Sequence, residues 1–154
     1  MAEGKKREYK RETCKKRLSD LVRRVDDINN GNADYKYYNK VKDVILFGSL
    51  INTDKDKIHD IDLYVIWDDN RKLSTKFNKE NSSIINEKFQ DMISQLFGEW
   101  YLALRYIKGG CGIFSIHSNV SEPIDSMMKI VESDKHVYLV SDYKINDDAM
   151  AMIP

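Results

Sequence analysis

Two short apolar runs constrain this chain more than any other feature: DVILF at residues 43–47 and IDLYVIW at residues 61–67. Both are rich in β-branched residues and both have the length of one strand, so each reads as a strand buried on both faces. The second run carries an anomaly at its start, where Asp60 and Asp62 stand one residue apart. Side chains at i and i+2 of a strand share a face, roughly 6.5–7 Å apart along the chain. Two carboxylates held that way repel each other, and an interior position strips each of hydration. A divalent cation relieves both costs, since Mg²⁺ takes hard oxygen ligands and is commonly held by one or two carboxylates plus substrate phosphates. The plainer alternative is a pair of solvated acids at a loop mouth.

The first run ends in Gly48-Ser49. Glycine lets a backbone approach a phosphate closely, and serine adds a hydroxyl donor. A helical turn starting near Leu50 would add free N–H groups that favour an anion. Phosphate donors at one strand end and metal-binding acids on the next would hold a Mg²⁺–nucleoside triphosphate from two sides. His59 in the intervening loop reads as exposed, and Lys55 and Lys57 as solvated lysines within reach of phosphate.

The remaining elements follow from hydrophobic period. Leu18, Leu21, Val22, Val25 and Ile28 form one stripe of an amphipathic helix over residues 8–28, and NNGNAD supplies its break. Residues 68–79 read as a polar loop. A second helix is expected over residues 81–97, with Ile84, Ile85, Phe89, Met92, Ile93, Leu96 and Phe97 as its buried stripe and Gly98 as its stop. EWYLALRYI (99–107) reads as a strand turning at Gly109-Gly110 into GIFSIHS (112–118). Ser121 caps a third helix running to about residue 131, and HVYLV (136–140) is a last strand. The expected fold is α/β (α+β): one domain with a mixed sheet of about five strands packed against helices. Its divisions are a basic arm or helix start at 1–17, the domain proper at 18–145 and a tail at 146–154.

Charge balances overall, with 25 basic and 25 acidic residues, so the sum predicts no polyanionic partner. Residues 1–24 nevertheless hold ten Lys or Arg against four acids. Within it, KKREYKRETCKKR (5–17) is either a solvated helix face or a phosphate-backbone footprint with Tyr9 available for stacking. Cys14 and Cys111 are isolated, with no CxxC pair and no zinc spacing, as expected of free thiols in a reducing compartment. No apolar run approaches the ~18 residues of a membrane span, and the charged N-terminus lacks a signal-peptide pattern. A cytoplasmic protein without a membrane partner is expected.

FGSLINTDKDKIHDIDLYV (47–65) resembles the signature of the polymerase-β-like nucleotidyltransferase superfamily, and its small single-domain members are closest in size. That signature is an apolar strand ending in Gly-Ser, a spacer of about ten residues, then Asp-x-Asp inside a second apolar strand. The resemblance implies transfer of a nucleoside monophosphate from a nucleoside triphosphate to an acceptor hydroxyl, with Mg²⁺ (or Mn²⁺) as cofactor. It implies that Asp60 and Asp62 are catalytic metal ligands, and that Gly48 and Ser49 hold the outer phosphates. The acceptor would be a nucleic-acid end, a protein side chain or a small molecule. The basic N-terminus tilts this towards nucleic acid or a partner protein. Active members usually add a third carboxylate on a neighbouring strand, here expected to be 112–118, which offers Ser115 and His117 but no acid. Asp125 and Asp142 would serve only under a different strand order. The departure supports an alternative, a catalytically impaired member kept as a binding or regulatory module, antitoxin-like or nucleic-acid-associated.

Overall fold

The computed structural model describes residues 7–68 and 70–154, so the first six residues of the basic N-terminal segment, Lys5 and Lys6 among them, lie outside the described residues. The elements in chain order are β1 (Tyr9–Lys10), α1 (Arg11–Asn29), β2 (Val41–Phe47), α2 (Ser49–Asn52), β3 (Lys57–Ile58) and β4 (Ile61–Trp67). Four helices follow: α3 (Arg71–Glu80), α4 (Ser82–Lys88), α5 (Met92–Leu96) and α6 (Gly98–Lys108). Then come β5 (Phe114–Ser118), α7 (Ile124–Val131), β6 (Val137–Ser141), β7 (Lys144–Ile145) and a 3₁₀ turn over Ala149–Met152. No helix among the described residues is long and apolar enough to cross a membrane.

The main sheet has five strands in the order β5-β4-β2-β6-β7, and only the β4–β5 pair is parallel. The two apolar runs lie side by side at its centre, antiparallel, with Leu46 opposite Leu63 and Phe47 opposite Asp62. Their central position explains their unbroken apolarity, because Val44, Ile45, Leu46, Leu63, Tyr64 and Val65 are all fully buried. On one face Val44, Leu46, Leu63 and Val65 join the apolar stripes of α1 and α6. On the other, Ile45 and Tyr64 pack under Met127 and Val131 of α7. A second sheet, β1 with β3, ties the N-terminus to the loop before β4.

Several local expectations are corrected. EWYLALRYI is helix α6 rather than a strand. Its aromatic residues favour strands, but Trp100, Ala103 and Ile107 recur at helical spacing and are among its buried residues. Gly98 opens this helix instead of closing the one before. A Cβ there would stand 2.8 Å from Ile85 Cδ1, so the glycine permits close packing of α6 on α4. Residues 68–79 are largely helix α3, nucleated when the Asn70 side chain accepts from Leu73 N at 3.2 Å. Its buried side is narrow, Ser74 and Phe77, which left the segment looking polar. The expected helix over 81–97 breaks at an extended Phe89, and Asp91 caps a new short helix by accepting from Ser94 N at 2.7 Å. The break leaves Met92, Ile93 and Leu96 exposed at 75%, 66% and 63%. The third helix starts at Ile124, behind Pro123, and not at Ser121.

The helical layer is locked to the sheet by a buried acid. The Glu99 side chain, 1% exposed, accepts at Oε1 from Asn39 Nδ2 (2.6 Å) and Ser74 Oγ (2.9 Å), and at Oε2 from Tyr38 N (2.7 Å). Asn39 in turn accepts from Asn70 N at 3.0 Å. One carboxylate thus joins the entry to β2, the start of α3 and the start of α6. Removing it strands several buried donors, each of which costs ~1–3 kcal/mol. Glu99→Ala is expected to lose about 3 kcal/mol in urea unfolding and Glu99→Gln distinctly less; equal losses would contradict the hydrogen-bonding role.

Candidate functional site

The site grows out of the turn that ends β2. Gly48 sits at φ 78°, ψ −157°, a conformation open essentially to glycine alone. The chain then makes a single helical turn, α2, in which the Gly48 carbonyl accepts from Ile51 N, Asn52 N and the Asn52 side chain. Thr53 Oγ1 adds a bond to the Ser49 carbonyl at 2.7 Å. Asn52 Nδ2 also reaches the Lys135 carbonyl at 3.0 Å, pinning the turn against the entry to β6.

β4 brings the acids to this turn. The antiparallel register sets Asp62 opposite Phe47, so its carboxylate comes up beside Gly48. The fit is close: a Cβ placed on Gly48 would overlap Asp62 Oδ2 and stand 3.0 Å from its Cγ. Asp60, just before the strand, lines the same pocket of about 250 Å³ with Asp62, Ser49, Lys55, Lys57 and His59. Gly48, Ser49, Asp60 and Asp62 therefore meet at one mouth, on the face covered further along by α7. Asp60 and Asp62 are the carboxylates that could hold a divalent cation here. Among the described residues, no group of three His, Cys, Asp or Glu is gathered to hold a metal by itself. Two hard oxygen donors beside a glycine bend would suit a cation whose other positions are filled by substrate oxygens and water.

The loop between these strands is held by residues the motif does not contain. Arg11 donates from Nη1 to the Leu50 carbonyl (2.7 Å), from Nη2 to Thr53 (2.9 Å) and from Nε to Lys55 (2.9 Å). Its backbone N–H reaches Asp56 O at 2.8 Å, and β1–β3 pairing continues the seam through Tyr9 and Ile58. Glu8 lies 3.6 Å from His59 Nε2 and 3.9 Å from Lys57 Nζ. Part of the basic N-terminal segment is thus spent on shaping the site. Nothing in composition distinguishes Arg11 from its neighbours; the only signal was its place at a helix start.

Across the mouth, β5 runs parallel to β4 with Ser115 opposite Asp62 and His117 opposite Tyr64. The neighbouring strand is the one expected from the sequence, and the position beside Asp62 holds a hydroxyl. Asp125 lies exposed on α7, and Asp142 is in the β6–β7 turn at the other edge of the sheet, where its N–H meets Asp43 Oδ1 at 3.0 Å. His117 Nδ1 is 2.8 Å from Glu122 Oε1 and its ring lies 6.1 Å from that of Phe47. Tyr64 donates its hydroxyl to Glu122 O at 3.0 Å, and burial pushes its phenol up from its ordinary pKa. Glu122 was not singled out by any motif, yet it organises this side of the face.

Comparison with known protein families gives a match to the polymerase-β nucleotidyltransferase model over residues 32–141, from the approach to β2 to the end of β6. No match was found to a curated protein or to a solved structure. The matched span contains both strands, the Gly-Ser bend and the paired acids, and it covers well over half of the sequence. The chain belongs to the polymerase-β nucleotidyltransferase family.

Proposed function

We propose that this protein moves a nucleoside monophosphate from a nucleoside triphosphate to an acceptor hydroxyl, in a reaction dependent on Mg²⁺ or Mn²⁺. The observation that carries the proposal is the interlock of Gly48 with the Asp62 carboxylate, which leaves no room for a side chain between the phosphate bend and the acids. In this reading the acceptor hydroxyl gives up its proton to solvent, its oxygen bonds to the α-phosphorus, the bond from that phosphorus to the α–β bridging oxygen breaks, and pyrophosphate leaves. Gly48 lets the backbone approach the outer phosphates and Ser49 donates its hydroxyl to them. Lys55 and Lys57, which line the same pocket, offset phosphate charge. Asp60 and Asp62 would hold the cation, whose contribution when bound is to stabilise the attacking and leaving oxygens. Protein catalysis here is positioning and charge neutralisation. Exposed Lys10, Lys16 and Arg17 beside the site's N-terminal seam support a nucleic-acid end, or a protein bound to nucleic acid, as the acceptor.

A second reading, a nucleotide-binding module without turnover, is favoured by one observation: Ser115 stands where a third carboxylate would face Asp62. The two readings separate when the protein is incubated with each α-labelled triphosphate, Mg²⁺ or Mn²⁺ and a lysate. Transfer of label supports the enzyme, metal-dependent binding without transfer supports the module, and neither contradicts both.

Asp60→Asn and Asp62→Asn are each expected to lower transfer by about 100-fold or more, since a displaced cation forfeits several kcal/mol of charge stabilisation. Retained transfer in both variants would remove the assignment. Gly48→Ala, strained in backbone and overlapping Asp62, should lower metal-dependent triphosphate binding by about tenfold or more in a titration; unchanged binding would show the bend is dispensable. Arg11→Ala frees three loop carbonyls and should raise KM for the triphosphate about tenfold with smaller change in kcat. A variant with KM unaltered would place the loop's order elsewhere.

A further inference from the structure

A groove on the opposite face of the molecule has no part in the site described above. It begins in a pocket of about 240 Å³ between the β5 edge and α6, lined by Trp67, Trp100, Tyr101, Leu104 and Ile116. Tyr101 and Leu104 are shared with a second hollow reaching Lys88, Asp91, Arg105 and Lys108, and the last two basic residues continue into a third at Gly110–Gly112. The three hollows therefore form one track along the outer side of α6. Trp67 ends β4 on the face opposite Asp62, about 17 Å along the strand from it. No residue lining this track lines the acidic pocket.

Two independent features mark the track as a binding surface. Trp100 is 5% exposed, and its Nε1 is the one buried side-chain polar atom among the described residues without a hydrogen-bond partner. An orphaned buried donor is costly, and because this one has almost no accessible surface, an acceptor satisfies it only when a side chain entering the pocket shifts the indole or its cover. The second feature is polarity along the track. Its first end is aromatic. Its other end carries Lys88, Arg105 and Lys108, with the Arg105 guanidinium fixed 4.7 Å above the Phe89 ring. The single acid there, Asp91, is occupied by Ser94 N and Oγ, both at 2.7 Å, which hold its carboxyl below the usual carboxylate range. Beside the track α5 exposes Met92, Ile93 and Leu96, an apolar rim that suits a protein surface and not a nucleic acid.

We propose that this groove docks an acidic, apolar-anchored segment of a partner protein. The pocket takes a leucine or aromatic side chain, whose entry shifts the indole's cover so that a backbone carbonyl beside it accepts from Trp100 Nε1, and acidic residues meet Arg105 and Lys108. From Trp100 to Lys108 the helix rises about 12 Å. An extended segment covers that in three or four residues, which sets the spacing between anchor and acids.

The test uses the full chain and octapeptides with Leu, Trp or Ala as anchor and, three and four places on, Asp-Glu, Ser-Ser or Lys-Lys, over a Gly/Ser background. The Leu and Trp peptides with Asp-Glu are expected to bind at least tenfold tighter than the Ala or Lys-Lys versions. They should shift one of the two indole N–H resonances in a ¹⁵N-labelled sample, the one missing from Trp100→Phe. Combined Arg105→Glu and Lys108→Glu, both exposed or half-buried positions, should reverse the preference towards Lys-Lys and leave metal-dependent triphosphate binding unchanged. Equal binding of all peptides, binding of none, or a shift of the same resonance by single-stranded RNA instead would overturn the proposal. So would a homodimer in sedimentation that Leu104→Asp dissolves, since the groove would then belong to a second copy.

Discussion

The Asp62 carboxylate lies in the space that any side chain at position 48 would fill, and the organisation of the site follows from that contact. It demands a glycine, because only glycine has both the missing Cβ and the ready access to this backbone conformation. It demands the antiparallel β2–β4 register, since a one-residue slip would turn Asp62 to the opposite face. It also explains why a central strand tolerates acids. They stand at its mouth, where the sheet opens beside a loop, and the strand becomes apolar on both faces as soon as it enters the core.

Support for that contact comes from outside the motif. Arg11 gathers the carbonyls of residues 50, 53 and 55, so the polar loop is held by a side chain that a helix start projects across it. Glu99 performs the equivalent task on the far side of the domain, collecting donors from two segments, residues 38–39 and Ser74, onto the start of a third. Both are side chains with several polar atoms, each satisfied by backbone, amide or hydroxyl partners. Such groups fix geometry well, since several hydrogen bonds converging on one planar group constrain its position and orientation together.

What could be read from the sequence divides along a physical line. The strands of residues 43–47 and 61–67 were legible because burial on both faces writes an unbroken apolar run, and α1 because its stripe recurs at helical spacing. That Gly48, Ser49, Asp60 and Asp62 would come together was legible because they punctuate two β-branched runs that pair as neighbouring strands. Residues 99–107 misled because aromatic side chains suit strands as well as helices, and the deciding information, packing against Ile85 and the sheet, is tertiary. The exposed stripe of α5 misled for a related reason: apolar period alone does not reveal that Asp91 caps a new helix and turns those residues outward. Arg11 and Glu122 act over distances in the chain that no local pattern encodes.

The family assignment and the interlock at Gly48 are separate supports, and the link between them is the ligand. A crystal of the protein grown with Mn²⁺ and a non-hydrolysable nucleoside triphosphate, measured at the manganese edge, tests that link most directly. The account predicts anomalous density between the Asp60 and Asp62 carboxylates, with the outer phosphates against Gly48 and Ser49. Manganese and nucleotide bound away from those residues would contradict it.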